Sequence, residues 1–295
     1  MSQECTHNCE TCELECDSRE GGFEKAKLHP DATVKHVIGV VSGKGGVGKS
    51  MTTCLLAALL RRTGSNVAIL DADMTGPSVP QAFGLHGKMQ GDADGSIQPA
   101  LTGSGIQVIS TNLLLPNEND PVVWRGPMIA GMVTNYYSEV VWDNVDYMII
   151  DMPPGTGDVP LTVFQSIPIE GIVVVTSPQE LVSMIVRKAV NMADMLKVPL
   201  LGLVENMSYF RCPDCGAKHD IFGKSHISEM AALYDFPSMA RIPFLPELAH
   251  ACDAGTNENW ALENIPKIDP EQVTEEKNLK KVTDMITYMD ELFNR

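Results

Sequence analysis

No stretch of this 295-residue chain approaches the ~20 consecutive apolar residues that cross a bilayer. Basic residues are also scarce, with 22 Lys and Arg against 38 Asp and Glu and a net charge of −16. A surface this acidic repels a phosphate backbone, so neither nucleic acid nor membrane is expected as a partner. The opening residues, Met1-Ser2-Gln3-Glu4-Cys5, lack the basic and then apolar layout of a secretory signal. A cytoplasmic location is the expectation. There cysteines persist as thiols, and clustered ones bind metal more often than they form disulfides. That matters because six of the eight cysteines fall in two clusters.

What is present is enough apolar material, 44% of residues, for a full α/β core. Residues 1–33 are polar and charge-rich with no periodic apolar face, which suits a flexible tail carrying one cysteine cluster. Residues 34–295 read as one domain. Apolar runs at 37–41, 67–70, 106–110, 147–150, 171–176 and 200–204 fit buried strands. Helical patterns at 50–62, 127–140, 179–196 and 225–234 alternate with them, and a last one spans 274–293. Such alternation predicts a doubly wound, mainly parallel sheet with helices on both faces. Ligands then belong at the carboxyl ends of the strands.

Directly after the first strand candidate the chain reads Gly43-Lys44-Gly45-Gly46-Val47-Gly48-Lys49-Ser50-Met51. Glycines at these spacings let backbone N–H groups turn inward around phosphate oxygens, and the following helix adds its positive end. In this P-loop Lys49 is expected on the β- and γ-phosphates of ATP and Ser50 on Mg²⁺. Two further strand ends carry carboxylates, Asp71-Ala72-Asp73 and Asp151 followed by Pro153-Pro154-Gly155-Thr156-Gly157-Asp158. Asp73 and Asp151 are placed to hold the metal's hydration shell or the attacking water, and the proline–glycine run suits a switch loop. Lys44 has no phosphate role left to fill within its own chain. If two copies face each other, it can neutralise the partner's phosphates as an arginine finger does.

Gly43–Ser50 is the deviant Walker A form found in MinD, ParA, the nitrogenase iron protein and the Mrp/ApbC iron–sulfur cluster carriers. With Asp71-Ala72-Asp73, Gly76-Pro77-Ser78, Trp124-Arg125-Gly126-Pro127-Met128, Pro153–Asp158, and Asn206-Met207-Ser208 leading into Cys212-Pro213-Asp214-Cys215, the chain most resembles the last group. The resemblance runs from residue 34 to about residue 262. It implies a homodimeric ATPase that binds a [4Fe–4S] cluster, receives it from scaffold proteins and passes it to apo iron–sulfur proteins. It also implies that Asn206 reads the adenine and that Cys212 and Cys215 hold a bridging cluster. Two other readings stay open: a positioning ATPase like MinD or ParA, and an ATP-coupled electron donor like the nitrogenase iron protein.

Cys212 and Cys215 are half of a tetrahedral site, equally good for zinc or iron. A two-fold dimer would supply the same pair again; a single-chain zinc site would instead recruit His219 or His226. In the tail, Cys5, Cys9, Cys12 and Cys16 place four thiolates within twelve residues, enough for one cluster or one zinc ion, with His7 as a competing ligand. Cys54, on the apolar stripe after the P-loop, reads as a core residue, and Cys252 carries no assigned role.

Overall fold

The computed structural model describes residues 25–74, 76, 78–87, 96–115, 126–155, 157–179, 182–266, 268 and 273–294, without the side chains of 126, 127, 158, 182, 183 and 185. Cys5, Cys9, Cys12, Cys16, Trp124, Arg125 and Thr156 lie outside the described residues.

Ten strands are described: β1 (Val34–Ser42), β2 (Val67–Asp71), β3 (Ala100–Leu101), β4 (Gln107–Ile109), β5 (Val145–Asp151), β6 (Gly171–Thr176), β7 (Leu200–Glu205), β8 (Phe210–Arg211), β9 (Lys218–His219) and β10 (Met239–Arg241). Eight form one sheet in the order β10-β7-β6-β1-β5-β2-β4-β3, and β8 pairs with β9 alone. Neighbours in the large sheet run parallel, except that the edge strand β3 is antiparallel to β4. Between strands run α1 (Lys49–Arg62), α2 (Val79–Ala82), α3 (Gly126–Glu139), α4 (Asp158–Ser166), α5 (Val182–Leu196) and α6 (Ile227–Leu233), and after β10 come α7 (Pro246–Asp253), α8 (Asn257–Asn264) and α9 (Leu279–Asn294).

The continuous apolar runs are explained by burial on both faces. Along β1, Val37 and Val41 join one core while Ile38 and Val40 join the other. The same alternation separates Ala68 and Leu70 from Val67 and Ile69, and Met148 and Ile150 from Tyr147 and Ile149. Because successive side chains point to opposite faces, a strand buried on both sides needs no polar positions. The first core takes Val133 and Tyr136 of α3, Phe164 of α4, Val186 of α5 and Met230 of α6. The second takes Leu55, Leu56 and Leu59 of α1 with Val282, Met285 and Met289 of α9. This is the doubly wound P-loop fold.

Two details differ from the sequence pattern. The final helix starts at Leu279, because Thr274 turns back to donate from its N (2.8 Å) and its Oγ1 (2.6 Å) to Asp284 Oδ2. Lys281, although charged, is buried, with Nζ 3.5 Å from the Glu275 carbonyl. Residues 25–33 lie against the domain. Lys25 Nζ donates to the carbonyls of Phe164 (2.5 Å) and Ile167 (3.0 Å), and Thr33 N donates to Trp142 O (2.8 Å). Among the described residues no helix is long and apolar enough to cross a membrane.

Candidate nucleotide and cysteine sites

The carboxyl end of β1 runs into the P-loop, and α1 starts at Lys49. Gly46 and Gly48 adopt φ +76° and +79°, a region that side chains disfavour. At Gly48 space is as limiting as conformation, because an added Cβ would lie 2.1 Å from Asn206 Nδ2. That amide donates to Val47 O at 3.0 Å, so the buried Asn206 at the end of β7 braces the loop from behind. Met207 beside it takes φ 55°.

Beneath the loop the structure brings together the residues expected there. Lys49 Nζ is 2.8 Å from Asp151 Oδ1 and 3.8 Å from Asp73 Oδ2. Ser50 Oγ donates to Asp151 Oδ2 at 2.5 Å. Thr53 Oγ1, one helical turn after Lys49, donates to Asp151 Oδ1 at 2.8 Å. Asp71 and Asp151 are partners across β2 and β5, so two buried carboxylates stand side by side. Burial first, and then the Asp151 charge, push Asp71 up to about 8, against the opposing pull of Lys49. Asp71 accepts from Ser110 Oγ (3.0 Å) and Asp73 N (3.1 Å), which fixes the turn carrying Asp73.

Above these groups lies a cleft of about 400 Å³, lined by Gly45, Lys49, Ser50, Met51, Asp73 and Pro154 and, across from them, by Ala249, Cys252 and Asp253. The residues fit Mg²⁺ with a triphosphate. Ser50 and Asp151 offer hard oxygen donors, and Lys49 supplies the charge an anion needs. Such an ion would polarise the terminal phosphate; the chain's own groups bind and orient it.

Lys44 Nζ donates to Gln179 Oε1, on the loop after β6. Its carbonyl accepts from Ser42 Oγ at 3.0 Å, and Gly155, at φ +95°, donates its N to Ser42 O at 2.8 Å. The proline–glycine loop after β5 therefore abuts the P-loop.

Cys212 and Cys215 occupy the tight turn of the β8–β9 hairpin. Cys212 N donates to Ala217 O and Gly216 N to Cys212 O, both at 2.9 Å. Gly216 takes φ +72°, which closes the turn. The backbone N–H groups of Cys215 first, then Asp214, face the Cys212 sulfur and hold its thiol below the usual range. A thiolate-favouring turn is what a metal knuckle requires. Among the described residues no group of three or more His, Cys, Asp or Glu gathers as a metal site, and His226 instead faces Glu229 at 3.2 Å.

Sequence reasoning named Asp71 among the strand-end carboxylates but did not assign Thr53, Gln179, Cys252 or Asp253 to the site. Thr53 was within reach, since it lies one turn after Lys49. Gln179 meets Lys44 only through sheet order, and Cys252 and Asp253 line the cleft only through α7. Cys54 is fully buried, as expected of a core residue.

Comparison with known proteins agrees with this geometry. The family model described as NUBPL iron-transfer P-loop NTPase, of the ParA group, matches residues 33–285. The iron-sulfur cluster carrier protein of Clostridium perfringens is 44% identical over 258 residues, covering 84% of this chain and 90% of that protein. The iron-sulfur cluster carrier protein of Methanocaldococcus jannaschii is 40% identical over 258 residues, covering 85% and 89%. A nucleotide-binding protein from Archaeoglobus fulgidus, solved in complex with ADP, superposes with a TM-score of 0.70 at 42% identity, over 80% of this chain and 93% of that one. The cell division ATPase MinD of Pyrococcus furiosus shares the fold alone, with a TM-score of 0.57 at 18% identity over 87% and 99%. A braced P-loop, paired carboxylates beneath it and relatives that match most of its length together place this chain in the NUBPL iron-transfer family of P-loop NTPases.

Proposed function

We propose that the chain is an ATP-dependent carrier that receives a [4Fe–4S] cluster, holds it between two copies through Cys212 and Cys215 of each, and transfers it to apo-proteins. The observation that carries this reading is the hairpin turn. It leaves Cys215 exposed and Cys212 half-buried, aims backbone N–H groups at one sulfur, and supplies half of a four-thiolate site. A two-fold axis supplies the other half. Zinc would fit the same donors, and iron is favoured by the carriers the chain is similar to.

ATP enters the cleft under Gly43–Met51. Lys49 moves from Asp151 to the phosphates, Ser50 and Asp151 would hold Mg²⁺, and Asp73 orients the attacking water. Asn206 keeps the loop in shape and meets the base. Hydrolysis is slow and regulatory, and Lys44 leaves Gln179 to neutralise the phosphates of the second copy. Cys5, Cys9, Cys12 and Cys16 form a second metal site in the same chain, which works in the cytoplasm. A membrane-positioning role gains no support from α9, whose apolar face is spent on the second core.

The test is anaerobic reconstitution with iron and sulfide of a chain whose four tail cysteines are serine, beside the same chain with Cys212→Ala/Cys215→Ala. The first should take up about four irons per two chains and the second none. Equal uptake, or uptake of zinc alone, would overturn the proposal.

A further inference from the structure

Beside the cysteine hairpin lies an apolar pair that the described residues leave partly uncovered. Residues 213–224 are all exposed, and among them Ile221 is 57% and Phe222 36% exposed. Neither joins the side chains packed in or against the two cores. Local hydrogen bonds hold them beside the cysteines, Ile221 N to His219 O at 3.1 Å and Gly223 N to Asp220 O at 3.3 Å. A two-stranded hairpin of this length is marginal alone in water, and an exposed isoleucine beside a partly exposed phenylalanine leaves apolar area for a cover.

We propose that Ile221 and Phe222 form the apolar contact between two copies of this chain, packing around the metal held by Cys212 and Cys215. The inference rests on the carrier reading above. Two observations select a second copy as the occupant. First, the adjoining metal site offers two thiolates, and among the described residues no third ligand gathers there; a second copy brings the same pair to the same place. Second, residues 211–224 carry three cations, Arg211, Lys218 and Lys224, against two anions, Asp214 and Asp220, in a chain of net charge −16. Self-contact here therefore escapes the repulsion that acidic surfaces would impose. Apolar cover next to a metal site also lowers the local dielectric and slows the entry of water and chelators.

The experiment compares the full-length chain with Ile221→Ser/Phe222→Ser after iron–sulfide reconstitution in the presence of ATP. Sedimentation should show dimerisation weakened by roughly tenfold or more, since apolar area is lost from both copies. Loss of iron to a ferrous chelator should accelerate by a similar factor, with ATP affinity of the isolated chain unchanged. In the otherwise unaltered chain, a photoreactive phenylalanine analogue at position 222 should link to residues 210–224 of a second chain. Unaltered assembly and chelation in the serine variant would overturn the contact while leaving the carrier reading intact. Links confined to residues 1–24 of the same chain would overturn it in favour of the tail as cover. Links only to an added apo acceptor would make the pair a client site instead. Absence of iron and sulfide from the parent cysteine pair would remove the carrier reading itself.

Discussion

Lys49 and Lys44 belong to one loop and face different charges. Lys49 lies against the carboxylates of Asp151 and Asp73 and offsets Asp71. Removing a cation from such a buried group leaves uncompensated charge, so Lys49→Ala should cost about 3 kcal/mol of stability in a urea titration without nucleotide, besides abolishing ATP binding. Lys44 has a polar partner, Gln179, at a half-buried position. Its replacement by alanine should cost less than about 1 kcal/mol and leave ATP affinity within about threefold by calorimetry. Phosphate release by Lys44→Ala should nevertheless fall by about 10³-fold if it acts as a finger in trans. Gly48→Ala makes a separate case. With φ +79° and Asn206 Nδ2 2.1 Å from the new methyl, the loop must give up its brace on Val47. ATP affinity should drop at least about tenfold in the same titration, and a Gly46→Ala chain, where the Cβ meets open space, should lose less.

At the scale of elements, Asp146 clasps three segments at the entry of β5. It takes Lys35 Nζ at 2.9 Å, Lys277 Nζ at 2.6 Å and Asn66 N at 2.8 Å. Burial alone would raise this carboxyl, but Lys277, Asn66 and Lys35 outweigh it and bring it to about 2. Because the folded value lies below the ordinary 3.8, the clasp is fully present above about pH 4 and is lost as pH falls through about 2. Asp146→Asn should therefore destabilise the chain by about 2–3 kcal/mol at pH 7, and the gap to the parent should close between pH 4 and pH 2 in urea titrations. A gap that persists at pH 2 would mean that packing, not charge, is the cause. The same scale shows what a sequence discloses. Strands β1, β2, β5, β6 and β7 were legible because double burial leaves unbroken apolar runs. The pairs β8 and β9 and the strands β3 and β10 hold two or three residues each, too few for any period. Helix α4 escaped notice because Pro160 reads as a breaker, whereas in a first turn no amide partner is required of it. Gln179 on Lys44 and Asn206 on Val47 span 135 and 159 residues. Such contacts follow from β6, β1 and β7 being neighbours, which no local pattern encodes.

For the whole molecule, the decisive property is whether one active site draws on two chains. The P-loop motif told of phosphate binding because its glycines and Lys49 act within one chain. The case for a trans role of Lys44 rests mainly on resemblance, since a finger in trans has its target in another molecule. If the role is real, two inactive variants must rescue each other. A Lys44→Ala chain keeps Lys49, Ser50 and Asp151 and so an intact nucleotide site that lacks only the finger. A Lys49→Ala chain cannot bind ATP but still presents Lys44. Mixed one to one, half of the random dimers join the two kinds, and in each of these one site of two is complete. Phosphate release should then recover to about a quarter of the parent rate, in a mixture of two preparations each near zero. The recovery should grow with total protein concentration until dimerisation saturates, because the partner must arrive by collision. Should the mixture stay as inactive as its components at concentrations where the parent sediments as a dimer, Lys44 serves its own chain, and the hold of Gln179 on it is a feature of one subunit alone.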